Sequence, residues 1–274
     1  MTRKRIKGYL GRIINGNSSE VLSTIESNCI DMVVTSPPYD DLRDYKKDAI
    51  WNFDSFKKIA NQLFRVVKDG GVVVWVVGDS VIRGSKTLTS FKQALYFQQL
   101  GFNMFDVIIY EKTGTAPPHK NRYFNAFEYM FVLSKGQPKT INLIKDKLNR
   151  WAGASTFGVV TRREQDGSLT NKGRKVIKKY GIRTNIWRYC NGKGFATKDE
   201  IAYNHPAIFP EQLVKDHILS WSNEGDIVLD PFCGSGTVPK VATSLKRQWV
   251  GIEISKEYCD IARKRLGIAL NEKV

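Results

Sequence analysis

Cysteine is scarce: the 274 residues hold four, Cys29, Cys190, Cys233 and Cys259, and no two stand at C-x-x-C spacing. That excludes a zinc ribbon and a disulfide-stapled fold. The three histidines, His119, His205 and His217, are equally scattered, so no metal site is assigned. Long apolar runs are also missing. The longest, Val72 to Val77, falls far short of the ~20 residues a membrane span needs. The start Met-Thr-Arg-Lys-Arg lacks the apolar segment of a signal peptide, and a cytoplasmic protein with no membrane partner is expected. Acidic residues are the most telling shortage, because 27 Asp and Glu against 43 Lys and Arg leave a net charge of +16.

What is present is an ordinary globular composition, 42% hydrophobic and 26% charged, long enough for one α/β domain with a modest insertion. The positive charge favours a polyanionic partner, since each cation set near a phosphate releases a condensed counterion. It is concentrated. Residues 136–200 hold 15 Lys and Arg against 5 Asp and Glu, which singles out that stretch rather than the whole surface. There Arg174, Lys175, Lys178 and Lys179 are followed by Tyr180, Trp187 and Tyr189 and preceded by Trp151. Cations interleaved with aromatics suit a nucleic-acid surface, whereas a charge run alone is more often a solvated face.

Outside that stretch, strands and helices alternate. Ile6 to Ile14 predicts a strand ending at a turn, Ser18 to Ile25 a short helix, and Asp31 to Thr35 a strand stopped by Ser36-Pro37-Pro38, because proline cannot donate to a ladder. Phe56, Ile59, Ala60, Leu63, Phe64 and Val67 predict an amphipathic helix terminated by Gly70-Gly71. The continuous Val72 to Val77 run predicts a strand covered on both faces. A helix over Ser90 to Leu100 and strands near Phe105 to Tyr110 and Tyr129 to Leu133 follow. The same logic returns at Ile227 to Leu229, Val238 to Leu245, Trp249 to Ile252 and Lys256 to Leu266. The expectation is a Rossmann-like, doubly wound, mostly parallel α/β sheet over 1–135 and 201–274, with 136–200 as a basic insertion.

Two motifs carry chemistry. Val228-Leu229-Asp230-Pro231-Phe232-Cys233-Gly234-Ser235-Gly236-Thr237 reads as strand, glycine turn and helix start, where free N–H donors and close backbone approach favour a ligand. Glu253, at the end of the next strand and 17 residues after Gly236, stands near the spacing at which an acidic side chain meets a ribose. Pro239 occupies the place of a third glycine. That points to an adenosine ligand without a pyrophosphate. The second motif, Thr35-Ser36-Pro37-Pro38-Tyr39, is a rigid turn after a central strand that presents one hydroxyl, one carbonyl and one aromatic ring.

Taken together, TSPPY followed by the basic insertion and then DPFCGSGT resembles the DNA amino-methyltransferases, in the motif order of their β group. Tyr203-Asn204-His205-Pro206-Ala207-Ile208-Phe209-Pro210 resembles that family's further cofactor segment. The resemblance implies S-adenosylmethionine as cofactor, with contacts at Asn17, Thr35, Pro206, Phe209, Asp230, Phe232, Cys233, Gly234, Gly236, Thr237 and Glu253. Many members have Asp where this chain has Asn17. It also implies double-stranded DNA as substrate, a target base flipped out of the duplex, and 136–200 as the target-recognition segment. A companion restriction endonuclease and a monomer or a homodimer are both compatible with it.

Within that resemblance Ser36, Pro37 and Tyr39 are the catalytic candidates. An exocyclic amine is a poor nucleophile because its lone pair is delocalised into the ring, and acceptors for both N–H groups help localise it. The Ser36 oxygen and Pro37 carbonyl are such acceptors, and Tyr39 would stack on the base. No Pro-Cys dipeptide occurs, which disfavours cytosine C5 chemistry and leaves Cys233 no nucleophilic role. Ser36 and the continuation Asp40 to Tyr45 resemble cytosine-N4 enzymes, and adenine N6 is the alternative. An RNA or protein methyltransferase and a noncatalytic DNA-binding module are the readings from other classes.

Overall fold

The computed structural model describes residues 5–38, 51–114, 121–156 and 159–269. They form two compact units, Met1–Asn142 together with Asn185–Val274, and Leu143–Thr184.

The larger unit is built on an eight-stranded sheet. Its strands are β1 (Arg12–Asn15), β2 (Ile30–Thr35), β3 (Val67–Val77), β4 (Asn103–Lys112), β5 (Phe127–Ser134), β6 (Ile186–Tyr189), β7 (Ile227–Asp230) and β8 (Gln248–Glu253). They lie in the order β1-β8-β7-β2-β3-β5-β4-β6, and every pairing is parallel except the two made by β5. The helices are α1 (Ser18–Thr24), α2 (Phe53–Val66), α3 (Thr89–Gln99), α4 (Glu211–Trp221), α5 (Thr237–Ser244) and α6 (Lys256–Leu266). This is the Rossmann-like doubly wound architecture expected from the sequence. No helix among the described residues is long and apolar enough to cross a membrane.

Local chemistry explains the elements. Val72 to Val77 are all buried, as a strand with helices on both sides must be. Phe56, Ile59, Ala60 and Leu63 put the apolar stripe of α2 into the core, and Asn52 caps it by accepting from Ser55 N at 2.9 Å. Helix α6 starts at the Ser255 cap and ends at Gly267, whose φ of +67° is the left-handed stop that glycine favours. The N-terminal segment is less regular than expected. Ile6–Gly8 is a single 3₁₀ turn, and the strand begins only at Arg12. Helix α2 ends at Val66, four residues before Gly70-Gly71. Pairing of β2 with β3 already starts at Ile30 and Val67 and then shifts register, and Gly70 sits in that irregularity at φ +81° with its N–H on Lys135 O at 2.6 Å.

Residues 185–200 belong to the larger unit, so the second unit is narrower than 136–200. Strand β6 adds to the sheet edge parallel to β4. Trp187 and Tyr189 are therefore core residues, 7% and 8% exposed, and not part of an exposed aromatic and cationic surface. The Tyr189 hydroxyl donates to Asp216 Oδ2 at 2.7 Å, and Trp187 lies against the His217 ring, centroids 4.6 Å apart. Both partners come from α4.

The second unit consists of short antiparallel pairs, Lys147–Leu148 with Tyr180–Gly181 and Thr161–Arg163 with Leu169–Asn171. Among its described residues no apolar side chain is fully buried. Arg174, Lys175, Lys178 and Lys179 are exposed. Trp151 is 59% exposed beneath the Arg150 guanidinium, and Tyr180 stands beside the Lys179 ammonium at 5.5 Å.

Candidate active site

From the middle of the sheet the chain runs outward in two directions, β2 leading through α2 to β3 and β7 leading through α5 to β8. Such a switch point leaves a crevice at the carboxyl ends of the strands. The crevice is there, with a volume of about 1010 Å³. Its floor comes from the ends of β1, β2, β4, β7 and β8 and from the beginning of the antiparallel β5.

The glycine turn forms one wall. Gly234 adopts φ +46° and Gly236 φ +80°, and the Gly234 N–H donates to Glu253 Oε2 at 2.9 Å. The other Glu253 oxygen accepts from Ser255 N at 2.9 Å. Asp230 accepts from the Thr35 hydroxyl at 2.6 Å and from Phe232 N at 3.0 Å. Burial raises both carboxyls above the ordinary carboxylate range, Asp230 to about 7 with Glu253 adding to the effect. Phe232 packs edge-on against Trp51 and Trp75, centroids 5.3 Å and 6.1 Å away. Asp230, Phe232, Cys233, Gly234, Thr237, Glu253, Pro206 and Phe209 all line the crevice. Burial, with Asp230 and Glu253 beside it, pushes the Cys233 thiol well above its ordinary range, the opposite of a nucleophile's thiolate.

Three of the sequence-predicted cofactor residues have structural roles of their own. Thr35 is fully buried and does not line the crevice; its hydroxyl is directed at Asp230, which makes it a positioning residue. Gly236 is also absent from the wall, and a Cβ there would lie 2.9 Å from Ala262 Cβ, so close packing of α5 on α6 demands the glycine. Asn17 lines the crevice but spends its Oδ1 capping α1, accepting from Ser19 N at 2.9 Å and Ser19 Oγ at 2.8 Å. Of the catalytic candidates, Ser36 lines the crevice, while Pro37 is buried and does not line it. Tyr39 lies outside the described residues.

Other wall residues carried no role in the sequence reading. His205 sits under the glycine turn, where a Gly234 Cβ would fall 2.8 Å from its Nε2, and packs edge-on against Tyr258 with centroids 4.4 Å apart. Its place within the Tyr203 to Pro210 segment was the available signal. Tyr110, Lys112 and Glu128 line the far side, and only the pairing of β4 with β5 brings them together.

Residues 30–264 match the model of a family described as DNA methylase, N6_N4_Mtase. This chain belongs to that family. The methylase is 55% identical over 238 residues to the orphan methyltransferase M.BamHII of Bacillus amyloliquefaciens, spanning 86% of this chain and 88% of that one. Its fold matches the PvuII DNA methyltransferase (cytosine-N4-specific) with a TM-score of 0.67 at 18% identity, over 97% and 91% of the two chains. It also matches TTHA0409 of Thermus thermophilus, a putative DNA modification methylase solved with S-adenosyl-L-methionine, at a TM-score of 0.60 and 23% identity over 93% and 94%. At those identities the two structures speak for the fold alone.

Proposed function

We propose that this DNA methylase transfers the methyl group of S-adenosylmethionine to the N4 amine of a cytosine flipped out of double-stranded DNA. The observation that carries the reading is one crevice that joins Ser36 to a glycine turn flanked by the carboxylates of Asp230 and Glu253. Those residues suit the cofactor. The two carboxylates answer a cationic ligand bearing a ribose diol, the turn leads into the N-terminus of α5, and Phe232 with Pro206 offers an apolar wall for an adenine ring. When bound, S-adenosylmethionine supplies a methyl group on a sulfonium that needs no further activation.

The protein's part is then positioning. Ser36 Oγ and the Pro37 carbonyl accept hydrogen bonds from the two amine hydrogens, which turns the nitrogen lone pair out of conjugation and toward the cofactor side. The departing proton passes along the same hydrogen bonds to solvent, and no covalent enzyme intermediate forms. Cytosine is preferred because Ser36 and the continuation Asp40 to Tyr45 resemble cytosine-N4 enzymes. Adenine N6 is the alternative, since the same two acceptors would serve that amine.

The second unit is proposed to hold and read the DNA, its Arg and Lys side chains on phosphates and a few others on base edges. DNA from a methylation-free host, incubated with the protein and labelled S-adenosylmethionine and digested to nucleosides, should yield labelled N4-methylcytosine by mass spectrometry. Label in N6-methyladenine alone would overturn the base assignment, and none in DNA would overturn the reading. Ser36→Ala should lower kcat roughly 10- to 100-fold, the worth of about 1.5–3 kcal/mol of hydrogen bonding gained in the transition state, with cofactor affinity unchanged.

A further inference from the structure

The crevice wall formed by β4 and β5 holds a polar group that neither the cofactor nor the amine acceptors employ. Tyr110 is 3% exposed, and its hydroxyl has no hydrogen-bond partner among the described residues. A buried hydroxyl without a partner is a standing cost that phenylalanine at the same position would remove, so its presence calls for a ligand or a function. Lys112 lies two residues further along the strand and so projects from the same face. Glu128 stands directly opposite Tyr110 in the antiparallel ladder. Its Oε1 is 3.2 Å from Lys112 Nζ, and each of these two side chains is only 15% exposed. All three line the same crevice as Ser36 and Asp230.

The spacing suits a flat ring held at both ends of its pairing edge. In the sheet order β5 is two strands from β2, which leads to Ser36, and β4 is three, or roughly 10–14 Å at the usual strand separation. Along the pairing edge of cytosine, the span from an acceptor beyond the amine to a donor beyond O2 is at most roughly 10 Å. The polarity is also right. With the amine of cytosine donating to Ser36 and Pro37, the rest of its pairing edge consists of two acceptors, N3 and O2, and an ammonium and a phenol are both donors. Burial, and then the Glu128 carboxylate, raise the Tyr110 pKa, so the phenol keeps the proton it would donate. Adenine offers N1 beside its amine and then a C–H, which would leave the second donor without an acceptor.

We infer that Tyr110 and Lys112 form the floor of the target-base subsite, donating to N3 and O2 of the flipped cytosine, and that Glu128 is a positioning residue that holds the Lys112 ammonium toward it. The inference rests on the cytosine reading above.

The test is a cycle between protein and base, run on a duplex carrying the site that the wild-type protein methylates. Tyr110→Phe and Lys112→Met should each lower kcat roughly tenfold or more while calorimetric S-adenosylmethionine affinity stays at the wild-type value, and Tyr110→Phe should melt no lower than wild type. Replacing the target cytosine by 3-deazacytosine, which lacks the N3 acceptor, should slow the wild-type protein. It should slow at least one of the two variants far less, because the hydrogen bond to N3 is already missing there. Wild-type turnover by Tyr110→Phe, or additive losses in both variants, would overturn the subsite. A wild-type product of N6-methyladenine would overturn the cytosine reading and the subsite together, whereas additive losses on a product that is N4-methylcytosine overturn the subsite alone.

Discussion

Asp230 keeps its proton to about pH 7, because burial outweighs the hydrogen bonds it accepts from Thr35 and Phe232. An unfolded aspartate gives that proton up near 3.8. As pH rises through the window between those values, only the unfolded chain loses the proton, so the Asp230 contribution to stability falls with rising pH until about 7 and is level beyond it. Asp230→Asn carries no charge and keeps an acceptor for both donors. Its melting temperature should match wild type near pH 4 and exceed it by a margin that grows up to about pH 7, and calorimetric scans at a series of pH values would reject the idea if the margin were constant. The sequence located Asp230 and Glu253 from their places at strand ends, but a motif cannot show which way a side chain faces. Thr35 illustrates this, since its neighbour Ser36 reaches the crevice while Thr35 turns inward to hold Asp230. The motif suggests that Gly234 allows close ligand approach, and the residue its absent Cβ would strike is His205 of the chain itself.

Between elements, the glycine turn is held by a guanidinium that no motif announced. The Arg265 side chain, on α6, is fully buried; it donates to Ser235 O at 2.8 Å and Thr237 Oγ1 at 3.1 Å, and pairs with Asp199 at 3.0 Å and Glu211 at 2.9 Å. It ties the start of α5 to the start of α4. Lys240 reaches the same two carboxylates at 2.7 Å and 2.8 Å. Arg265→Met would leave Asp199 and Glu211 with one cation instead of two and the Ser235 carbonyl without this donor. A loss of about 1.5–3 kcal/mol is expected, read by urea denaturation, together with weaker S-adenosylmethionine binding; a loss under about 1 kcal/mol would place the group at a solvated surface. Elements with plain periodicity were legible in sequence, as α2, α6, β3 and β8 show. Helix α4 was not, because Asp216, His217 and Ser220 interrupt its apolar pattern and are nevertheless buried. Their partners explain this: Asp216 takes the Tyr189 hydroxyl, Ser220 bonds back to Asp216 O at 2.7 Å, and His217 packs on Trp187. Helix α4 and strand β6 thus account for each other. Without the helix in view, Trp187 and Tyr189 stay grouped with the cations around them in sequence.

At the scale of the whole chain, the net charge of +16 is concentrated in Leu143–Thr184, which hold 11 Lys and Arg against 3 Asp and Glu. The same unit has no fully buried apolar side chain among its described residues, so little hydrophobic burial opposes the mutual repulsion of its cations. A polyanion would relieve that repulsion, with Trp187 and Tyr189 buried in the larger unit. Among the unit's described residues the available aromatics are Trp151 and Tyr180, each already beside a cation, and both suited to stacking or to lying along a sugar edge. If Arg174, Lys175, Lys178 and Lys179 touch phosphates, their replacement by alanine should weaken DNA binding for every sequence. The log–log dependence of affinity on salt should flatten by roughly 0.9 for each phosphate no longer neutralised. Cofactor affinity should not move, because every residue of the crevice wall belongs to the larger unit. A solvated basic face predicts instead a small loss of affinity from weakened long-range attraction and the same number of released counterions. Binding isotherms for wild type and the quadruple variant over a range of salt concentrations separate the two, and an unchanged slope would remove this cluster from the DNA interface while leaving the chemistry of the crevice untouched.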